Sequence, residues 1–178
     1  MAIFIQLLYN LGILVAISII AGFIGQRSDN NRNMAPLQGL FFGFAAVIGM
    51  LHPFVVAPGL IFDGRSIMIS ISGLFFGPVA SAIAALMSMA LRLYQGGTGA
   101  VTGASVIVMS AVIGTLFYLR NKQKNVDVTI RLLFVMGIIV HITMILLMFT
   151  LPGNQGLGTV KLIGLPVIIF YPIATIII

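Results

Sequence analysis

The sequence predicts an all-α, polytopic transmembrane helical bundle of about seven crossings. Three observations lead there. Hydrophobic residues make up 60% of the chain, against roughly 45–50% in a soluble domain. Charged residues are 7%, against about 25%. Mean hydropathy is +1.20, and the apolar residues gather in stretches near the roughly 20 residues that span a bilayer core. A soluble globular domain, a disordered tail and a nucleic-acid module are excluded. The pI near 10.4 arises from nine Lys and Arg against three acidic residues, too few cations to build a phosphate-binding face. There is no cysteine, so disulfides and thiolate chemistry are absent. The two histidines and three aspartates lie far apart, without metal-ligand spacing. No cofactor is implied, and no nucleophile–base pair marks the segment as catalytic.

Residues 1–25 form the first predicted span. They lack a basic leader and a small-residue cleavage site and run past 20 residues, so they read as a retained helix and not a signal peptide. Residues 26–35 are a polar loop, and Pro36 suits the first turn of the next helix. Residues 37–56 are the second span, followed by a Pro- and Gly-rich turn at 57–65. Further spans are predicted over 97–118, 132–150 and 162–178, with a loop at 151–159. The chain ends in the apolar run 173–178 without a polar anchor. This reads as a cut within a helix, so a cytoplasmic continuation beyond 178 is expected.

The stretch 66–94 needs a decision. One helix would be roughly 43 Å long, too long for a core of about 30 Å without strong tilt. Gly77-Pro78 lies inside it, and proline disfavours helical geometry in the residue before it while lacking an amide proton. Two readings remain: a single kinked helix, or a short helix over 66–76 followed by a second over 78–94. Charge favours the split. Cytoplasmic loops carry the Lys and Arg excess. Arg27 and Arg32 lie in one loop, and Arg120, Lys122, Lys124 and Arg131 in another. Both are cytoplasmic only if 66–94 crosses twice, which puts the N-terminus outside and the C-terminal end in the cytoplasm of a multi-pass protein.

Arg65, Arg92 and Lys161 then remain near the outer face, with Asp63 to offset them. Cations there oppose the sorting rule, and ionisable groups at the edge of spans are functional suspects. Arg92 shares a small, polar helix face with Ser88, Ala85 and Ser81. After it comes Gln95-Gly96-Gly97-Thr98-Gly99-Ala100, whose glycines permit close backbone approach and which opens a helix whose first amides favour an anion. A guanidinium, free amides and the hydroxyls of Thr98 or Thr102 suit a carboxylate or phosphate. The alternative is that Arg92 snorkels to outer headgroups. Asp63-Gly64-Arg65-Ser66 reads either as a turn whose Asp63 or Ser66 caps the next helix, or as a site in which Arg65 faces Arg92 and Asp63 orients it. Lys161 reads as a lipid anchor. His52 and His141 read as buried hydrogen-bonding groups, and Asn10 as glue between helices. Gly39/Gly43, Gly73/Gly77 and Gly99/Gly103 permit close helix packing.

Several motifs occur in order: Leu37-Gln38-Gly39-Leu40-Phe41-Phe42-Gly43, then Pro58-Gly59-Leu60-Ile61-Phe62-Asp63-Gly64-Arg65-Ser66, then Gly73-Leu74-Phe75-Phe76-Gly77-Pro78, then Arg92-Leu93-Tyr94-Gln95-Gly96-Gly97-Thr98-Gly99-Ala100. This order resembles the multi-spanning sensor domain of LytS-type bacterial receptors. The resemblance runs from about Leu37 to the end and is most specific between Pro58 and Gly103. It implies a ligand-sensing membrane input joined to a cytoplasmic output, most often a histidine kinase of a two-component system acting on a response regulator, sometimes a diguanylate cyclase. It implies the bacterial inner membrane and a homodimer. Some members sense pyruvate through arginines of the FDGR and R-x-x-x-G-G segments, which correspond here to Arg65 and Arg92. The match reaches Thr102 and Ser105 more loosely. A small carboxylate such as pyruvate is therefore the expected ligand, held by Arg65, Arg92, Asp63, Ser66, Ser88, Gly96, Gly97, Thr98, Gly99 and Thr102. The sequence is also similar to the six-helix substrate-capture subunits of vitamin transporters. By that likeness, 37–178 is a six-helix ligand-binding unit and 1–25 an added helix. It leaves a transporter subunit as the second reading, and a structural membrane subunit, with its arginines as headgroup anchors, as a third.

Overall fold

The computed structural model describes residues 31–51, 53–57 and 60–178, together with 12, 15, 16 and 19. The first predicted span, the loop at 26–30, Asn10, His52 and the Pro58-Gly59 pair lie outside the described residues, those four positions apart. Over the described residues from 31 onward five helices follow one another: α1 (Asn31–Leu51), α2 (Arg65–Gln95), α3 (Ala100–Lys124), α4 (Ile130–Met148) and α5 (Gln155–Ile177). Each is long and apolar enough to cross a membrane. Between α1 and α2 lies a two-stranded antiparallel hairpin, β1 (Phe54–Ala57) and β2 (Leu60–Phe62), with Phe54 opposite Phe62 and Val55 opposite Ile61.

The hairpin corrects the expectation of a span reaching residue 56. The helix stops at Leu51 because Pro53 has no amide proton and disfavours helical geometry in the residue before it. Val55 and Val56 then suit an extended chain. Other boundaries also move: α3 runs on to Lys124, so Arg120, Lys122 and Lys124 lie in the helix and not in the expected basic loop. Helix α1 starts at Asn31, so Pro36 stands inside it and not in its first turn, and α5 starts at Gln155 inside the expected loop.

Helix α2 carries the break that the sequence predicts. Gly77 has φ 83° and ψ −169°, a conformation open essentially to glycine alone. It divides α2 into a first arm, residues 65–76, of roughly 18 Å, and a second, residues 78–95, of roughly 27 Å. The arms double back on one another. Near Gly103 of α3, the start of the first arm (Arg65) meets the end of the second (Arg92); a Cβ built there would touch both side chains.

Other contacts set the remaining directions. The first arm and α3 run the same way, since Gly73 packs on Gly114 and Gly77 on the Tyr118 ring. Helix α1 runs with the second arm: Gly39 lies against Ala80, Gly43 against Ala84, and Gln95 Nε2 donates to Met50 O at 3.0 Å. Thr102 meets Thr150 at one end of the α3–α4 pair, and Arg120 and Arg131 line one groove at the other. Gly156 packs on Met148, and Gly137 on Pro172 and Thr175, so α5 opposes α4. The described chain thus passes six times between two ends: one holding Arg65 and Arg92, the other holding Arg120, Lys122, Lys124 and Arg131.

Residues 65–74 are buried on every side, so the first arm is the centre of the bundle. The outer helices expose Leu86, Val101 and Leu165, all 70% or more, as a lipid-facing surface requires. In lipid, apolar burial drives little, and close van der Waals packing holds helices together. The glycines provide it. A Cβ on Gly39 would lie 2.8 Å from Ala80 O, and one on Gly73 would lie 2.9 Å from the Gly114 carbonyl carbon.

Candidate anion site at the buried arginine cluster

The site forms where β2 enters the first arm. Asp63 follows the hairpin directly and Gly64 caps the helix without a side-chain bond. Asp63 Oδ1 accepts the Arg65 amide at 3.0 Å, and Asp63 Oδ2 lies 3.2 Å from Arg65 Nη1. The aspartate therefore orients Arg65 and does not cap the arm through a later amide. From the far end of the second arm, Arg92 reaches the same place. Its Nη1 donates to Gly96 O at 2.9 Å, and Gly96 N donates to Arg92 O at 3.3 Å. Arg92 is 1% exposed and Arg65 6%, so snorkelling does not describe either.

Gly103 makes this meeting possible. A Cβ there would lie 2.5 Å from Arg92 Nε and 3.2 Å from Arg65 Nη2. Two guanidiniums and one carboxylate thus share a buried place, with one positive charge in excess among the described residues. Burying charge is costly unless a partner offsets it. Burial holds the Asp63 carboxyl above its usual range, while the Arg65 charge, the Arg65 amide and the Arg92 charge pull the other way.

A cavity opens beside the cluster. Asp63, Arg65, Ser66, Arg92, Gly99 and Thr102 line it, and Phe62, Val106, Met144, Met148 and Leu151 make an apolar wall. Its volume, for the centres of water-sized spheres, is about 30 Å³. One water needs roughly 10–15 Å³ on this measure, so the cavity takes a molecule of a few heavy atoms.

Six of the ten predicted site residues therefore come together, and four stand apart from the lining. Ser88 is buried but donates to Ala84 O at 2.8 Å. Gly96 contributes its carbonyl to Arg92. Gly97 and Thr98 are exposed. Lys161 is exposed in α5. The wall residues and Gly103 were not among the predicted contacts. The Gly99/Gly103 spacing had marked Gly103 for close approach, but its neighbour is an arginine side chain and not a helix backbone. Sequence had no signal for Met144, Met148 or Leu151, which come from another helix and its end.

The hydroxyl protons point elsewhere. Thr150 Oγ1 donates to Leu147 O at 2.7 Å, so in the 2.9 Å contact between the threonines Thr102 is the donor. His141 Nδ1 lies 2.7 Å from Gly137 O and must donate to it, which leaves Nε2 of the neutral ring to accept from Ser66 Oγ at 3.2 Å. His141 is thus a buried hydrogen-bonding group, as expected, and joins the cavity wall to α4. The guanidiniums of Arg65 and Arg92 remain as fixed-charge donors at the cavity, of a kind suited to carboxylates.

A helical membrane protein with a small, buried, cationic cavity is the class that fold and site define. The family described as 5TMR of 5TMR-LYT matches residues 26–178. The chain belongs to that family, the LytS-type multi-spanning membrane sensor domain. Comparison with curated proteins and with solved structures gives no match.

Proposed function

We propose that this domain is the input of a bacterial receptor and binds a small carboxylate, pyruvate being the leading candidate, through Arg65 and Arg92. The observation that carries the reading is the meeting of two buried arginines, 27 positions apart in sequence, at Gly103 beside a cavity of a few heavy atoms. A monovalent carboxylate offsets the excess charge, and the apolar wall of Met144, Met148 and Leu151 suits a methyl group. The ligand must favour one signalling state to transmit anything. Ser66 and His141 offer a route, because His141 stacks edge-on against Tyr171 of α5 at 5.0 Å between centroids. Helix α5 then carries the change to an output beyond residue 178, read as a histidine kinase with its response regulator, in a homodimer.

The family and the charge distribution support an inner-membrane orientation. Arg120, Lys122, Lys124 and Arg131 gather at one end of the bundle, the end at which α1 begins, with Arg32 as its second residue. With that end cytoplasmic, the cavity opens toward the outside. A first crossing by residues 1–25 then makes seven, with the N-terminus outside. The second reading, a substrate-capture subunit of a transporter, fits the doubled-back helix, but the cavity is small for a vitamin.

The test is pyruvate binding to the domain in nanodiscs, with lactate and acetate alongside, for the wild type, Arg65→Ala and Arg92→Ala. Saturable binding lost in both variants is the expected result. Binding of a different anion through the same arginines would replace pyruvate and keep the site. Binding that ignores both arginines would return them to a structural role.

A further inference from the structure

At the opposite end of the bundle, the close of α3 and the start of α4 enclose a groove of about 330 Å³. Arg120, Lys124 and Arg131 line its mouth, and all three are exposed. Among the described residues no acidic side chain lines it; Asp127 lines an adjoining depression beside Tyr118 and Lys122 that shares Asn121 and Val126 with the groove. Asn121 sits among these residues, and its Nδ2 has no acceptor among the described residues. Phe117, Leu132 and the exposed Val135 give the groove an apolar strip. Three cations at a helix end, continuous with an apolar strip that runs into the membrane-spanning part, match an amphiphile with a negative head.

We propose that this groove is a binding site for an anionic phospholipid. Its phosphate is held by Arg120, Lys124 and Arg131, and one acyl chain lies along Phe117 and Val135. Basic pockets between helix ends favour such headgroups because each cation adds attraction near the membrane surface. The apolar strip separates this ligand from a free phosphate, which has nothing to place there. The site stands apart from the buried arginine cluster, and neither reading depends on the other.

Native mass spectrometry of the detergent-solubilised domain tests it. Phosphatidylglycerol and phosphatidylcholine of matched chains are offered together, with glycerol phosphate as a head-only competitor. The expected result is about tenfold preferential retention of phosphatidylglycerol. Arg120→Gln/Lys124→Gln/Arg131→Gln abolishes the preference, and Lys122→Gln, just outside the groove, keeps it. Because the triple variant also changes the charge that orients the protein, Val135→Trp is measured too. It keeps every charge, fills the strip and is expected to reduce retention. Equal retention of the two lipids overturns the proposal. So does a preference that survives both the triple variant and Val135→Trp, or displacement by glycerol phosphate at concentrations matching the lipid.

Discussion

The two ends of the bundle use the same residue type in opposite ways. At one end Arg65 and Arg92 are buried and drawn together by a helix that doubles back, with the Asp63 carboxylate paired to Arg65. At the other, Arg120, Lys124 and Arg131 stand exposed around an open groove some ten times larger. An exposed cation at a membrane edge is already solvated by water and headgroups, so its energetic claim on the protein is small. A buried guanidinium has given up that solvation and depends on what the fold puts beside it. The contrast teaches that charge count along the sequence marks where cations gather, whereas burial marks the cations whose surroundings the fold itself must supply.

Breaking the close packing between the two ends should have the largest effect. Gly114 lies directly against the Ser70 backbone of the central arm, where a Cβ has no room. Gly114→Leu is expected to cost at least about 3 kcal/mol, since overpacking against backbone cannot be relieved by a rotamer change. A fall in the midpoint of thermal or denaturant unfolding in detergent would register it, and an unchanged midpoint would mean the first arm is not held as described.

A smaller change sharpens the comparison at the buried end alone. Gly103→Ala puts a methyl group against Arg92 Nε and near Arg65 Nη2. The expected outcome is a loss of anion affinity of about tenfold, or roughly 1.4 kcal/mol, with lipid retention at the other end unchanged. Titration of the anion in nanodiscs, beside the lipid measurement, separates the two ends in one variant.

The smallest expected effect concerns pH. Burial raises the Asp63 carboxyl above its ordinary value, so the folded protein takes up this proton at higher pH than the unfolded chain does. As pH falls through the raised value, the cavity loses its one negative charge and gains affinity for an anion. Along a pH series run downward from neutral, the affinity should rise a few-fold. Asp63→Asn should bind more tightly at the upper pH and lose most of the dependence. The same linkage makes this group's contribution to stability grow as pH falls and vanish above the raised value.

Much of the fold was legible in advance. Gly77-Pro78 marked the break in α2 because no other pair of residues combines a missing amide proton with access to that backbone conformation. The helix boundaries were less legible. Nothing local distinguishes the end of α1 from a longer apolar span except Pro53, and the hairpin after it reads as more of the same hydrophobic run. The basic cluster at the α3–α4 junction and the isolation of Arg65 and Arg92 were visible as charge in an otherwise apolar chain. The role of the glycine run at 96–99 was not. Its amides looked available to an anion, yet Gly96 serves Arg92 with its carbonyl, and Gly97 and Thr98 face outward.

By itself the sequence determined that this is a membrane-embedded helical bundle, where its second helix breaks, and which cations are out of place. Those properties follow from hydropathy, proline and glycine geometry, and charge, all of which act over a few residues. Only the tertiary structure decided that the two arginines meet, that Gly103 provides the room, that α4 and its end supply the apolar wall, and that the hydroxyls of Ser66 and Thr102 spend their protons on protein acceptors. Those depend on which residues of distant helices become neighbours. In lipid that choice is made by shape and close packing, which no short stretch of sequence contains.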